Sequence, residues 1–277
     1  MLVRPKALLF DFGGVLADTP DGRSDWLPTL VERVTEVVSG ALSAEEIAAD
    51  VTAGRRAYAH WRDVFARTPE PEELTHEGFW ADFVAADWPA DARAAVAAHA
   101  TELVRIWIDR GPAWQVRAGV RESLELAREA GVPAAVVSNT LCGAAMRAFL
   151  DREGLAPLFA AQLYSDEIGV RKPNPRFAHL ALQALGGVPA DAAWFIDDQL
   201  SRGILCARRA GVATAVHVYD GPLASADPGP PVASDRPPAR AGEEAAALAR
   251  YAHPRYAPDA TVPTMEAFRE LLAAALA

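Results

Sequence analysis

Cysteine is nearly missing from this chain: 277 residues contain two, Cys142 and Cys206. They form no CxxC pair and no zinc-ligand spacing, which excludes a disulfide framework and a structural zinc site. A reducing cytoplasm is the expected setting. Long apolar runs are missing too, and none approaches the roughly 18 residues of a membrane span. The opening MLVRPKALLF turns polar too soon for a secretory signal. Positive charge is short. Lys plus Arg total 27 against 37 Asp plus Glu, a net charge of −10. Such a chain repels a polyanion, which argues against a nucleic-acid partner. A small anionic substrate fits only with a local cation to hold it. No internal repeat stands out, and the sequence does not settle the oligomeric state.

What is present supports a folded enzyme-sized body. Hydrophobic residues make up 51% and charged residues 23%, enough for a real core in one domain plus an insert. Four short apolar runs end in polar residues. Ala7 to Phe10 runs into Asp11 and Gly13-Gly14, and Ala134 to Val137 into Ser138-Asn139-Thr140. Ala193 to Ile196 runs into Asp197-Asp198, and Thr214 to Val218 into Tyr219-Asp220. Continuously apolar runs of this length read as parallel strands covered on both faces. Helical patterns over Val120 to Ala130 and Gly203 to Ala210 end at Gly131 and Gly211. Strand alternating with helix predicts βαβ units and a doubly covered parallel α/β sheet. Ligands of such sheets lie outside the carboxyl ends of the strands. Asp11, Ser138, Asp197 and Asp198 are therefore expected in one crevice.

Between about Thr19 and Trp114 the rhythm breaks. Helical spacing runs through Leu27 to Val38, Ala44 to Arg67 and Pro89 to Ile108, and five of the seven tryptophans, Trp26, Trp61, Trp80, Trp88 and Trp107, fall here before the boundary at Trp114. This stretch reads as a helical insert, with its tryptophans as packing core. Gly221 to Ala241 holds six prolines and five alanines and reads as an irregular loop. Glu243 to Tyr251 and Met265 to Leu276 look helical.

Adjacent carboxylates at a buried strand end repel each other unless a cation is present. A few carboxylates with retained water suit Mg²⁺. Pro173 sets Lys172 in an extended turn. Ser138-Asn139-Thr140 precedes a helix expected near Leu141, whose start can be capped by these side chains or can hold a phosphate. Cys142 reads as structural.

In order along the chain, Asp11-Phe12-Gly13-Gly14-Val15-Leu16-Ala17-Asp18, Val136-Val137-Ser138-Asn139-Thr140, Gly169-Val170-Arg171-Lys172-Pro173-Asn174-Pro175 and Phe195-Ile196-Asp197-Asp198 resemble the four motifs of the haloacid dehalogenase-like (HAD) hydrolases. Ala207-Arg208-Arg209-Ala210-Gly211 follows the fourth. The resemblance implies a Rossmann-like parallel-sheet core over 1–18 and 115–220 and a helical cap over 19–114. The segment 221–277 would be packed on that core or trail it. It implies a Mg²⁺-dependent phosphatase of a small phosphorylated metabolite. Asp11 would attack phosphorus and become an aspartyl-phosphate. Asp11, Asp198 and the Gly13 carbonyl would hold Mg²⁺, with Asp197 supporting them directly or through water. Ser138 and the Asn139 N–H would hold phosphoryl oxygens, and Lys172 would neutralise charge.

Two departures from the family pattern matter. Gly13 stands where most family phosphatases carry a second Asp, the general acid and base, a role worth roughly 10²–10⁴ in rate. Easily departing leaving groups are therefore expected to be preferred. His60, His76 and Glu77 of the insert are alternative acids, though each reads first as an ordinary cap residue. Arg202 stands where many relatives have Asn; it reads first as a surface residue and otherwise as one that touches the site. The rival functions are a catalytically weak or non-catalytic binding protein, a sugar phosphomutase, and a metal-independent haloacid dehalogenase, which the acidic fourth motif disfavours.

Overall fold

The computed structural model describes residues 2–19, 25–111, 113–219 and 250–277. Its centre is a six-stranded parallel sheet. The strands are β1 (Ala7–Phe10), β4 (Ala134–Ser138), β5 (Ala161–Tyr164), β6 (Ala193–Asp197), β7 (Thr214–Val218) and β8 (Ala260–Val262), in spatial order β5-β4-β1-β6-β7-β8. A short antiparallel pair, β2 (Ala17–Asp18) with β3 (Gln115–Val116), stands beside it where the chain leaves for the insert and returns. The fold is the α/β type expected from the strand runs.

Alternation along each strand divides the apolar residues between two faces. Leu8 and Phe10 join Val136, Trp194 and Ile196 on one face. There they meet α6 (Val120–Glu129), α7 (Gly143–Arg152) and α11 (Met265–Leu276). Ala7 and Leu9 join Ala135, Val137 and Phe195 on the other face. That face meets the short α8 (Ser165–Ile168), α9 (Pro175–Ala184) and α10 (Leu205–Ala210), and Ala178, Ala181 and Ala207 let the last two approach the sheet closely. Burial on both sides explains the unbroken apolar runs.

The insert builds its core from α1 (Trp26–Val37), α2 (Ala44–Phe65), the π turn Phe79–Val84 that continues the short α3 (His76–Gly78), α4 (Ala90–Ala98) and α5 (Ala100–Asp109). Trp80 and Trp88 are buried in that core, and Trp26, Trp61 and Trp107 pack against it, so all five insert tryptophans serve packing. α2 starts on a capping box in which Ser43 and Glu46 exchange side-chain bonds.

Several boundaries differ from expectation. Pro89 to Ile108 is two helices, broken at His99. The helix expected near Leu141 begins at Gly143. Gly203 lies in a wider π turn, Leu200–Ile204, before α10. β5 and β8 went unforeseen. Both are edge strands, only partly buried, and Gln162 and Thr261 interrupt their apolar pattern. The C-terminal segment supplies β8 and α11, whose Met265, Phe268 and Leu272 are buried in the core. Gly221 to Ala241, and all of Glu243 to Tyr251 before its last two residues, lie outside the described residues.

Candidate active site

The sheet reverses its winding at β1, with β4 on one side and β6 on the other. Strand register places Phe10 opposite Val136 and Ile196, so the next residues of all three strands emerge at one edge. The Asp11 N–H donates to the Ile196 carbonyl at 2.9 Å, carrying the ladder one residue further. This edge is the switch point where doubly wound sheets bind ligands.

Lys172 is the hub. Its Nζ lies 2.8 Å from Asp11 Oδ1 and 2.6 Å from Asp197 Oδ2, and it is buried. Burial alone would lower the ammonium pKa, but the Asp11 and Asp197 charges outweigh it and hold it above the usual lysine range. The amide of Asn139 grips the Lys172 backbone at both ends. Its Nδ2 donates to the Lys172 carbonyl at 3.0 Å, and its Oδ1 accepts from the Lys172 N–H at 2.8 Å. Nothing in the sequence pointed to this side-chain role.

Asp11 Oδ1 takes both the lysine and the Phe12 N–H, at 2.7 Å. Asp197 is fully buried, with Oδ2 on Lys172 and Oδ1 accepting from the Gln199 N–H at 2.8 Å. Both of its oxygens are thus committed, and it acts on the lysine. Asp198 differs, because its buried Oδ1 has no hydrogen-bond partner. Burial first, then the Asp11 charge, pushes the Asp197 carboxyl up to about 6 despite Lys172. Burial, Asp197 and Asp11 push Asp198 well above the usual carboxylate range.

One carboxylate oxygen from each of Asp11, Asp197 and Asp198 lies within 4.8 Å of the others. Three carboxylates against one ammonium leave a formal −2 (three negative, one positive). Hard oxygen donors, a surplus of two negative charges and an orphaned buried oxygen fit a divalent cation such as Mg²⁺.

Two glycines make room for these carboxylates. A Cβ at Gly14, whose φ is +72°, would strike Asp198 Oδ2, and one at Gly203 would strike Asp197 Cγ. A Cβ at Gly13, in contrast, meets nothing within 4 Å. Ser138 ends β4 and is buried. The start of α7 is already occupied. The Thr140 N–H donates to Ser165 Oγ, that of Cys142 to Thr140 Oγ1, and that of Gly143 to Asp166 Oδ2. Those three groups are unavailable to a phosphate, so of the two roles open to this stretch Thr140 takes the capping one.

The insert reaches this edge through residues the sequence did not mark. Arg171 Nη1 and Glu73 Oε1 form an ion pair at 2.9 Å with both side chains 1% exposed. Glu73 Oε2 accepts from Ser165 Oγ at 2.6 Å, and Oε1 also accepts from the Tyr58 hydroxyl and the Leu74 N–H. Arg202 is buried, contrary to its expected surface position, and its Nη2 lies 3.1 Å from Asp63 Oδ1 of α2. His76 meets Thr101 Oγ1 through Nδ1 and the Leu141 carbonyl through Nε2. Burial raises the pKa of the Cys142 thiol, as a structural cysteine requires.

A family model described as "haloacid dehalogenase-like hydrolase" matches residues 5–211. No curated protein sequence matches significantly. Solved structures with the same fold include a HAD phosphatase from Thermococcus onnurineus, with 19% identity, 96% of this chain and 97% of that chain covered, and a TM-score of 0.55. A 2-haloacid dehalogenase from Pseudomonas syringae pv. tomato DC3000 shares 18% identity over 98% of this chain and 99% of that one, with a TM-score of 0.55. The YfnB protein of Bacillus subtilis, solved with magnesium bound, shares 15% over 97% and 99%, with a TM-score of 0.53. At these identities the likeness establishes the fold.

Proposed function

The chain belongs to the haloacid dehalogenase-like hydrolases, and from that premise we propose that it is a Mg²⁺-dependent phosphatase of a small phosphorylated metabolite in the cytoplasm. The carrying observation is the lysine bridge between Asp11 and Asp197 beside an Asp198 oxygen with no partner. Asp11 is the nucleophile. Lys172 and the Phe12 N–H both engage Oδ1, which leaves Oδ2 to attack phosphorus. The P–O bond to the leaving alcohol breaks as the aspartyl-phosphate forms, and water then returns the carboxylate and releases phosphate.

Asp11, Asp198 and the Gly13 carbonyl would hold Mg²⁺, which neutralises phosphoryl charge when bound. Asp197 supports the set by fixing Lys172. Ser138 and the Asn139 N–H face the phosphoryl oxygens, and the Asn139 side chain holds the Lys172 backbone in place. The helical insert covers the edge and excludes water.

Gly13 supplies no proton to the leaving oxygen, so esters with good leaving groups are the preferred substrates. The same glycine favours a second reading, a binding protein with little turnover. The acidic pair Asp197-Asp198 speaks against metal-independent dehalogenation. One assay separates the readings: Mg²⁺-dependent phosphate release from 4-nitrophenyl phosphate, lost in Asp11→Asn. Absence of release from the wild type would refute the phosphatase reading, and halide release from 2-chloropropionate with chelator present would replace it.

A further inference from the structure

The end of α2 nearest the site carries a positive charge, Arg62, that no carboxylate among the described residues bonds. Arg62 is partly buried, and its Nε is fully buried with no hydrogen-bond partner. Its guanidinium carbon lies 5.1 Å from the centre of the Tyr58 ring. Burial, together with the nearby Arg202 and Arg171 charges, pulls its pKa below the usual arginine range. Both neighbours come from loops that carry the site. Arg171 precedes Lys172, and Arg202 lies four residues after Asp198, close enough for its charge to act on that carboxyl.

The counter-charges fall short. Arg171 is satisfied by Glu73. The ion-pair partner of Arg202 among the described residues is Asp63, whose side chain is 58% exposed, and an exposed partner contributes little. Three guanidiniums against two carboxylates leave a formal +1, located on Arg62. An unpaired, half-desolvated cation destabilises a fold unless a ligand anion completes it. Guanidinium groups in a fork suit carboxylate and phosphate oxygens.

We propose that Arg62 and Arg202 form a second anion subsite beside the carboxylate cluster, so that the substrate is a small phosphate monoester carrying a further anionic group, a carboxylate or a second phosphate. This rests on the phosphatase reading for the first phosphate and names the substrate class within it. The preferred substrate spans the two charge zones, its phosphoryl group at Asp11 and its second anion at α2.

The test measures binding by calorimetry to full-length Asp11→Asn protein with Mg²⁺. One pair of probes is 3-phosphoglycerate and glycerol 3-phosphate, which differ as carboxylate and alcohol. The other is fructose 1,6-bisphosphate and fructose 6-phosphate. In at least one pair the more anionic member should bind about tenfold or more tightly. Adding Arg62→Met should bring that ratio to within about twofold, and Arg62→Lys should retain part of it. The pair showing the ratio identifies the second anion. Equal affinities within both pairs, or a ratio untouched by Arg62→Met, overturns the subsite. Ligand-free Arg62→Met should melt no lower than its parent, because it removes an unpaired charge; a lower Tm marks a merely structural arginine and counts against the proposal. Wild-type turnover is scored separately. Binding with the expected ratio but no hydrolysis sinks the phosphatase reading and leaves the subsite standing, and binding of none of the four probes sinks both.

Discussion

The strand edge and the end of α2 that faces it are charged in opposite senses and held by different means. At the strand edge, three carboxylates surround one lysine, and the sheet ladder fixes their backbone. Beside the end of α2, Arg62, Arg171 and Arg202 face Asp63 and Glu73, and the anchor is a buried side-chain knot around Glu73. The first surplus calls for a divalent cation and the second for an anion. In the phosphatase reading proposed above, this difference lets a chain with a net charge of −10 receive an anionic substrate, because local sign, set by which side chains are left unpaired, overrides the global balance.

The largest expected break is Asp11→Asn, which should reduce phosphate release by more than roughly 10³-fold while the protein stays folded, as steady-state assay and circular dichroism would show. Glu73→Ala strikes the other side. It strands Arg171 in the interior and should cost about 3–5 kcal/mol in chemical denaturation. Mg²⁺ at about 100 times its Kd should add about 2.7 kcal/mol of stability to the wild type. Asp198→Asn should abolish that gain, and by relieving repulsion it should raise the metal-free Tm; a Mg²⁺ response that survives Asp198→Asn would refute the assigned ligand. Gly13→Asp enters open space, so it should fold normally. It should raise turnover of alkyl phosphates relative to aryl phosphates by about 10-fold or more; unchanged selectivity would mean another residue is the acid.

The smallest effect concerns the link between insert and core. The Asp166 carboxylate, 3.8 Å from Nε2, raises the His76 pKa above its ordinary value against the opposing effect of burial. A raised folded pKa means that the protonated form stabilises the fold. This contribution is complete below the unfolded value of about 6.5 and fades as pH rises through the folded value. The wild-type unfolding free energy from denaturant titration should therefore decline over that window by an amount that His76→Gln removes, on the order of 1 kcal/mol or less.

Most of the sheet was legible in the sequence. β1, β4, β6 and β7 are buried on both faces and spell unbroken apolar runs, whereas β5 and β8 are edges and spell mixed ones. Asp11, Lys172, Asp197 and Asp198 were legible because each stands at a punctuated strand end or loop in a recognisable order. The α2 side was not. Glu73 sits in Pro69-Glu70-Pro71-Glu72-Glu73 and Arg62 in a helix rich in arginine, where a charge reads as solvated. Only tertiary packing makes them buried. The same holds for Gly203, whose missing side chain matters because Asp197 occupies that space.

The segment through Pro71 and Glu73 also bonds backbone to backbone with the loop before α9. The Glu73 N–H meets the Gly169 carbonyl, and the Arg171 N–H meets the Pro71 carbonyl. A lobe joined to its base only by two neighbouring chain crossings can swing on them like a door. This one is also stitched down at mid-length, right beside the lysine, so any such swing has to break these two bonds and draw Arg171 away from Glu73.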